Sequence, residues 1–167
     1  LVLNDNRITT LPSEISRLTN LKRLAIDRNA LTSLPDTMSL LTKLEACEAL
    51  RNQLTSLPGS IGKMTALRTL RLDGNSLMSL PESIKNLGRL QDLWLGENDL
   101  QRLPSDLKGL SSLQTLHLQR NKLCSLPRSI KHLKLLETFD LCGNRIQSLP
   151  SEIGALAQLK TLAMQKN

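Results

Sequence analysis

Apolar and polar residues follow one pattern along the chain, and the pattern repeats every 23 residues. In one copy, the run Leu67-x-x-Leu70-x-Leu72 alternates with polar residues, which predicts a short strand with one buried face. Leu80 is followed by Pro81, which favours the start of a helical turn because its missing N–H would be unpaired there. Two more apolar residues, three apart, then share one face of that turn. Each copy therefore predicts a strand, a tight bend and a short helical or 3₁₀ return.

This period covers the whole chain. The prolines stand at Pro12, Pro35, Pro58, Pro81, Pro104, Pro127 and Pro150, and asparagines of the same register at Asn6, Asn29, Asn52, Asn75, Asn98, Asn121, Asn144 and Asn167. No insertion interrupts the series, so residues 1–167 are expected to form a single domain of about seven repeats. One copy cannot bury its own leucines, so neighbouring copies have to stack. We expect an α/β right-handed solenoid, with a parallel sheet of eight strands on its concave face and helical or 3₁₀ returns on its convex face.

One full copy reads Leu67-x-x-Leu70-x-Leu72-x-x-Asn75-x-Leu77-x-x-Leu80-Pro81-x-x-Ile84-x-x-Leu87. This pattern resembles the leucine-rich repeat family over essentially the whole chain. The Leu-Pro-x-x-Ile variant is similar to the intracellular class of Ras-pathway scaffolds and Scribble-type polarity proteins, and similar repeats occur in bacterial effectors and protozoan proteins. The resemblance implies a horseshoe-shaped scaffold in signalling, with a small GTPase or a phosphatase as partner. Some expected leucines are replaced by residues that suit a core position, at Cys47, Ala49, Phe139 and Met164.

The asparagine that follows each predicted strand is expected to be structural. The chain turns inward there and leaves backbone N–H and C=O groups without sheet partners. A side-chain amide donates and accepts hydrogen bonds, so each asparagine can pair with its own loop and with the next one. We expect a buried ladder without a catalytic role, formed by Asn6, Asn29, Asn52, Asn75, Asn98, Asn121 and Asn144.

Information about function is expected in the side chains that point out of the sheet onto the concave face. They stand two, four and six residues before each asparagine, because side chains alternate along a strand. The candidate partner-binding residues are Trp94, Arg71, His117, Asp140, Glu48, Asp92, Arg120 and Arg23. Trp94, the only tryptophan, is expected to face solvent at the middle of the sheet as a binding anchor. The alternative for Trp94 is packing against Arg71 and His117, including a cation–π contact.

The net charge of +7 is not expected on the concave face. Nine basic and nine acidic residues occupy the strands and their flanking exposed positions, so the excess belongs to the loops and the convex side. Alternating signs suit a protein surface better than a phosphate backbone, so we expect a protein partner and no nucleic acid. The convex lysines are expected to be solvated, for example Lys63, Lys85, Lys108 and Lys131.

Composition narrows the class of protein further. One Trp, one Phe and no Tyr argue against a β-sandwich or barrel, whose strands favour aromatic residues. No apolar run exceeds three residues, whereas a membrane-spanning helix needs about 20. Three cysteines without zinc spacing, and no Asn-x-Ser/Thr acceptor, favour a reducing, cytoplasmic location.

No catalytic site is expected. His117, Asp140 and Cys142 lie on adjacent predicted strands and form a conceivable nucleophile set. The surface is shallow, however, and no Gly-rich nest or oxyanion donor accompanies them. The same three residues are an incomplete set of metal ligands. We therefore expect no enzyme activity, no cofactor and no metal.

We expect an interaction module or scaffold that binds a partner protein through its concave sheet surface in intracellular signalling. The alternative is a substrate-recognition arm of a larger enzyme, such as a ubiquitin ligase effector, kinase or cyclase, whose catalytic domain is absent from this sequence. Leu1 lies inside a predicted strand and Asn167 closes a repeat, without a polar capping unit at either end. We therefore expect the chain to be a piece of a longer protein. Catalytic motifs in the flanking sequence would favour the recognition arm.

Overall fold

The computed structural model describes residues 1–167 as one parallel sheet with short returns behind it. Its seven strands, β1 to β7, have the bounds Arg23–Ala25, Ala46–Glu48, Thr69–Arg71, Asp92–Trp94, Thr115–His117, Thr138–Asp140 and Thr161–Ala163. They lie side by side in sequence order, and each residue faces the one 23 positions later in the next strand. The parallel solenoid expected from the repeat is confirmed.

The first copy forms less of a strand than expected. Eight full strands were predicted, but residues 1–3 join the sheet through one isolated bridge between Val2 and Ala25. The N–H of Leu3 donates to Ala25 O at 2.7 Å, and the N–H of Ala25 donates to Leu1 O at 3.0 Å. This segment has a neighbour on one side only, so its outer backbone groups have no sheet partner.

The returns are 3₁₀ helices. Their bounds are Ser13–Arg17, Asp36–Leu40, Ile61–Lys63, Glu82–Asn86, Arg128–His132 and Ser151–Ala155. Pro81 directly precedes one of them, with φ −68° and ψ 145°, so it caps the helix in an extended conformation rather than forming its first turn. The turn closes where the N–H of Ile84 donates to Pro81 O at 3.0 Å. None of these helices has the length and apolar character required to cross a membrane.

The copy that begins at Pro104 has no helix. In the other copies the N–H three residues after the proline donates to the proline carbonyl. Here the N–H of Leu107 donates to Ser129 Oγ at 3.2 Å instead. Asp106 Oδ1 also accepts the N–H of Lys108 at 3.0 Å, a local bond that competes with helix formation. A groove of about 420 Å³ lies beside Pro104 on this side of the molecule.

One continuous hydrophobic core runs between the sheet and the returns. It contains 40 buried residues, most of them from the leucine and isoleucine positions of the repeat. Cys47, Ala49 and Phe139 are fully buried in it, so these replacements do occupy core positions. Met164, in the last copy, is half-buried and packs against the core. Burial raises the pKa of the Cys47 thiol to about 12, so Cys47 stays a neutral core residue.

The residue directly before each asparagine adopts a left-handed backbone conformation, with φ between 50° and 69°. These positions are Asp5, Arg28, Arg51, Gly74, Glu97, Arg120, Gly143 and Lys166. Residues with a Cβ adopt this conformation at a cost, yet six of the eight are not glycine. Because so few glycines mark the position, the repeat pattern did not reveal this turn.

Candidate functional site

The asparagine after each strand bridges two successive loops. Asn75 Nδ2 donates to Leu72 O in its own loop at 2.8 Å and to Ala49 O in the preceding loop at 2.9 Å. Asn75 Oδ1 accepts the N–H of Leu54, just after the preceding asparagine, at 3.0 Å. The second partner is therefore the preceding loop, and the expectation of pairing with the next loop was wrong.

The asparagine ladder is buried through the middle of the chain and open at its first step. Five asparagines are only 6–8% exposed: Asn52, Asn75, Asn98, Asn121 and Asn144. Asn29 is half-buried. Asn6 is exposed and donates only within its own loop, to Leu3 O and Asn4 O, both at 3.0 Å. The buried amides use both their donor and acceptor atoms within the fold, which leaves little capacity for a ligand.

Glu48 lies beneath two arginines on the concave face. Its Oε2 accepts hydrogen bonds from Arg23 Nε at 3.1 Å and Nη2 at 2.7 Å, and Arg71 Nη1 lies 3.8 Å from its Oε1. Glu48 is only 8% exposed. The residue was a candidate for partner contact, but its carboxylate is already covered and paired by neighbouring strands. Arg23 is exposed and Arg71 is half-buried.

Trp94 packs between side chains of the two neighbouring strands. The guanidinium carbon of Arg71 lies 4.6 Å from the centre of the indole ring. The His117 ring stacks on the indole at 4.6 Å between ring centres, with an interplanar angle of 10°. Trp94 was expected to face solvent, but it is half-buried, because the register places Arg71 and His117 directly beside it. The ring nevertheless stays on the concave side and is not part of the hydrophobic core.

A second row of side chains, two residues beyond the Trp94 row, is interrupted at Gly96. Asp73 Oδ1 accepts the N–H of Gly96 at 2.9 Å. A Cβ on Gly96 would collide with the amide of Gln119 and would lie 2.8 Å from Asp73 Oδ1. The missing side chain therefore lets Asp73 and Gln119 converge above the backbone of Gly96. Burial raises the pKa of the Asp73 carboxyl, against the opposing effect of the bond from Gly96.

Four buried side-chain atoms in this region have no hydrogen-bond partner, and the chain contains no others of this kind. They are Arg71 Nε, Asp73 Oδ2, Trp94 Nε1 and Gln119 Oε1. We call these four residues the central patch. A cavity of about 200 Å³ beside it is lined by Leu50, Arg51, Asp73, Gly74, Trp94, Glu97 and Gln119. Buried polar atoms in folded proteins are nearly always paired, so the central patch is the part of the fold that keeps unused hydrogen-bonding capacity.

Two of these four residues, Arg71 and Trp94, were expected from the sequence, whereas Asp73 and Gln119 were not. Asp73 and Gln119 both belong to the second row, which stands two residues before each asparagine, and they lie on either side of Gly96. The sequence signal that could have revealed them is a glycine between two polar residues of the same row, because the glycine leaves space for both side chains.

His117, Asp140 and Cys142 do not form a catalytic arrangement. Asp140 Oδ1 accepts the N–H of Cys142 at 2.9 Å, and Cys142 Sγ donates to Gln165 Oε1 at 2.6 Å, while His117 stacks on Trp94. Burial and the hydrogen bond with Asp140 raise the pKa of the Cys142 thiol, which lowers its thiolate fraction. No group of three or more histidine, cysteine or acidic side chains is placed to hold a metal ion.

Known proteins carry the same repeat. A family model described as a leucine-rich repeat region matches residues 106–167, and a second, described as Leucine Rich Repeat, matches residues 66–87. The structure of the LRR protein LIC12759 of Leptospira interrogans aligns with 100% of the chain at 39% identity, with a TM-score of 0.97. The chain is a leucine-rich repeat protein. Curated protein sequences include no match to it.

Two other solved structures similar to this leucine-rich repeat protein contain bound partners. The ectodomain of the Arabidopsis thaliana membrane receptor kinase GASSHO1/SCHENGEN3, in complex with CASPARIAN STRIP INTEGRITY FACTOR 2, is 28% identical over 95% of the chain, with a TM-score of 0.87. The plant peptide hormone receptor RGFR1, in complex with RGF2, is 32% identical over 99% of the chain, with a TM-score of 0.88. The chain spans 43% of the Leptospira protein, 20% of GASSHO1/SCHENGEN3 and 28% of RGFR1. Domains of this family generally serve as interaction modules without catalytic activity.

The remaining candidate residues of the leucine-rich repeat surface lie outside the central patch. Arg120 is exposed, and its Nη1 donates to Glu97 Oε1 at 2.7 Å. Asp92 is half-buried, with Oδ2 at 3.5 Å from Thr69 Oγ1. An exposed ion pair such as that of Arg120 and Glu97 contributes only about 0–1 kcal/mol to stability. The structure thus brings Arg71, Trp94 and His117 together and places Asp92, Arg120 and Asp140 around them.

Proposed function

We propose that the concave face binds a partner protein or peptide and that the central patch lies at the centre of the contact. The observation that carries this proposal is the position of the four unpartnered buried polar atoms, which all lie on this face. The bound partners in the structures of GASSHO1/SCHENGEN3 and RGFR1 support it, because these structures resemble the chain over nearly its whole length. A half-buried tryptophan flanked by an arginine is also a common composition for binding hot spots.

The proposed setting is intracellular signalling in the cytoplasm, with a small GTPase or a phosphatase as the partner and the chain as a scaffold. Its support is the likeness of the 23-residue Leu-Pro-x-x-Ile copies to Ras-pathway and Scribble-type repeats. The three free cysteines, Cys47, Cys124 and Cys142, are consistent with a reducing compartment.

The proposal is tested by measuring partner affinity with variants of both faces. A partner captured with the chain as bait is purified, and its Kd is measured for the native chain and for Trp94→Ala, Arg71→Ala and Lys108→Ala. Lys108 is exposed on the convex side and serves as the control. We expect Trp94→Ala to weaken binding by more than about 1 kcal/mol and Lys108→Ala to leave it unchanged. A loss below about 0.5 kcal/mol for Trp94→Ala would show that the central patch is not the contact.

A second candidate function is the recognition arm of a larger enzyme. The likeness to the ectodomain of GASSHO1/SCHENGEN3 favours it, because that ectodomain belongs to a membrane receptor kinase. This chain spans only 20% of that structure. Sequencing the full-length gene separates the two functions. Catalytic motifs beside the repeats support the recognition arm, and only caps or interaction domains support the scaffold.

A further inference from the structure

We propose that the cavity beside the central patch receives a lysine or arginine side chain of the partner, with Asp73 as its counter-ion. This inference rests on the proposed function and specifies its chemistry. Asp73 Oδ2 and Gln119 Oε1 are both buried hydrogen-bond acceptors without a donor. An ammonium or guanidinium group carries several donors and no acceptor, so it can supply the kind of donor that both oxygens lack.

Of the two carboxylates that line the cavity, Asp73 is the one without an ion pair. Asp73 forms no salt bridge, whereas the other lining carboxylate, Glu97, is paired with Arg120 at 2.7 Å. Burial disfavours the ionised form of Asp73, as the raised pKa of its carboxyl indicates. A cation placed against Oδ2 removes that penalty, and a charge-assisted bond is stronger than one to a neutral donor.

Arg51 is the basic residue of this protein that lines the cavity, and it does not occupy the proposed position. It is exposed and forms no salt bridge with Asp73. Its backbone N–H donates to Asp73 O at 2.8 Å, and its Cγ lies 3.1 Å from the position that a Cβ on Gly74 would take. The Asp73 carboxylate therefore has no salt bridge in its own chain, and the coulombic effect of His117 offsets only part of the rise in its pKa that burial causes.

The volume and lining of the cavity suit a single basic side chain. Its volume is about 200 Å³, and Leu50 and Trp94 supply apolar wall for a methylene stem. Both faces of the Trp94 ring are covered, by Arg71 and His117, so only the ring edge lines the cavity. An aromatic cage for a quaternary ammonium group would need an open ring face, so hydrogen bonding to Asp73 is the recognition that remains.

The inference can be tested without knowing the partner, because Trp94 is the only tryptophan and gives a single indole N–H signal. The ¹⁵N-labelled chain is titrated with Nα-acetyl-lysine methylamide, Nα-acetyl-arginine methylamide and the uncharged Nα-acetyl-norleucine methylamide. We expect at least one basic derivative to shift the Trp94 signal to saturation, with a Kd on the order of 1 mM. The norleucine derivative should bind at least about tenfold more weakly.

Asp73→Asn should weaken binding of the basic derivatives by at least about tenfold, because the amide keeps an acceptor for Gly96 but loses the charge. Asp27→Asn is the matched control. Asp27 stands in the same row as Asp73, and its Oδ1 likewise accepts a backbone N–H, that of Leu50 at 2.9 Å. Asp27 does not line the cavity. Equal binding of all three derivatives, full binding by Asp73→Asn, or no saturable shift would each overturn the inference.

The outcome can be separated from that of the proposed function. If the basic derivatives show no preference but Trp94→Ala still weakens partner binding, the concave face binds its partner by other chemistry. If the derivatives bind at Asp73 but Trp94→Ala has no effect on the partner, the cavity accepts cations and the partner binds elsewhere.

Discussion

The asparagine ladder and the central patch are both built from buried polar side chains, yet they are bonded in opposite ways. Asn75 accepts one hydrogen bond and donates two, all to backbone atoms of two loops. Each residue of the central patch keeps one buried polar atom without a partner. The two regions are adjacent, since only Gly74 separates Asp73 from Asn75.

The difference separates the polar groups that hold the fold together from those that we propose for recognition. A saturated amide contributes stability because its loss leaves backbone groups unpaired. An unsaturated buried atom contributes nothing to folding and destabilises the free protein until a ligand supplies the missing bond. Substitutions in the two regions should therefore change stability in different directions.

Asn75→Leu tests the ladder and should have the largest effect. It removes the side-chain partners of Ala49 O, Leu72 O and the N–H of Leu54, so we expect a loss of about 1–3 kcal/mol of unfolding free energy. Urea denaturation followed by circular dichroism measures it. Asn6→Leu is the matched control, because Asn6 is exposed, and it should lose less. An equal loss at both positions would show that burial of the ladder is not the cause.

Gly74→Ala tests the turn between the two regions. Gly74 has φ 69°, and a Cβ would lie 3.1 Å from Arg51 Cγ, so we expect a loss of about 1 kcal/mol. Gly59→Ala is the control, since Gly59 lacks a positive φ and has open space around its Cβ position. That change should leave the thermal unfolding midpoint the same or raise it slightly. If both variants behave alike, the left-handed turn does not constrain the loop.

Asp73→Asn should have a smaller effect of opposite sign, a higher unfolding midpoint at pH 7. Burial raises the folded-state pKa of Asp73, so the protonated carboxyl stabilises the folded state at a pH below the ordinary pKa of an aspartate. This contribution to stability is lost as the pH rises through the folded-state pKa. At neutral pH the carboxylate is therefore a net cost that the amide avoids. The gain should disappear in acid, once Asp73 is protonated. A variant less stable than the native chain at pH 7 would contradict this sign.

Trp94→Phe should have the smallest effect. The ring can still stack between Arg71 and His117, and the N–H that is lost has no partner in the fold. We expect a change within about 0.5 kcal/mol of unfolding free energy, measured by circular dichroism in urea. A larger loss would mean that the indole N–H is bonded within the free protein and that the comparison with the ladder does not hold.

The backbone of this protein follows from its repeat, because the spacing of leucine, asparagine and proline leaves one way to stack the copies. Some local details do not follow, and two of them have an evident cause in the side chains. The copy after Pro104 loses its helix because Ser129 and Asp106 take up its backbone N–H groups. The left-handed residue before each asparagine is hidden because arginine and acidic residues fill most of these positions.

The concave face was harder to predict than the backbone. Position in the repeat shows that Glu48 and Trp94 point away from the leucines, but not that neighbours 23 residues away in the sequence cover them. Arg23 and Arg71 cover Glu48, and Arg71 and His117 cover Trp94. The exposure of a side chain on the concave face depends on its neighbours in the adjacent strands, and the pattern of residues within one repeat does not describe those neighbours. The same limit hid the convergence of Asp73 and Gln119 above Gly96.

The constant register between strands affects how a chain of this kind can change its length during evolution. Since all six strand pairs match residues 23 positions apart, excising one whole copy would join surfaces that already fit each other. Loss or duplication of a copy before Arg71 would spare the central patch. Loss of a copy between Arg71 and Gln119 would remove or separate residues of the central patch. The register would therefore permit unequal recombination along the chain, and the proposed recognition would restrict it at three consecutive copies.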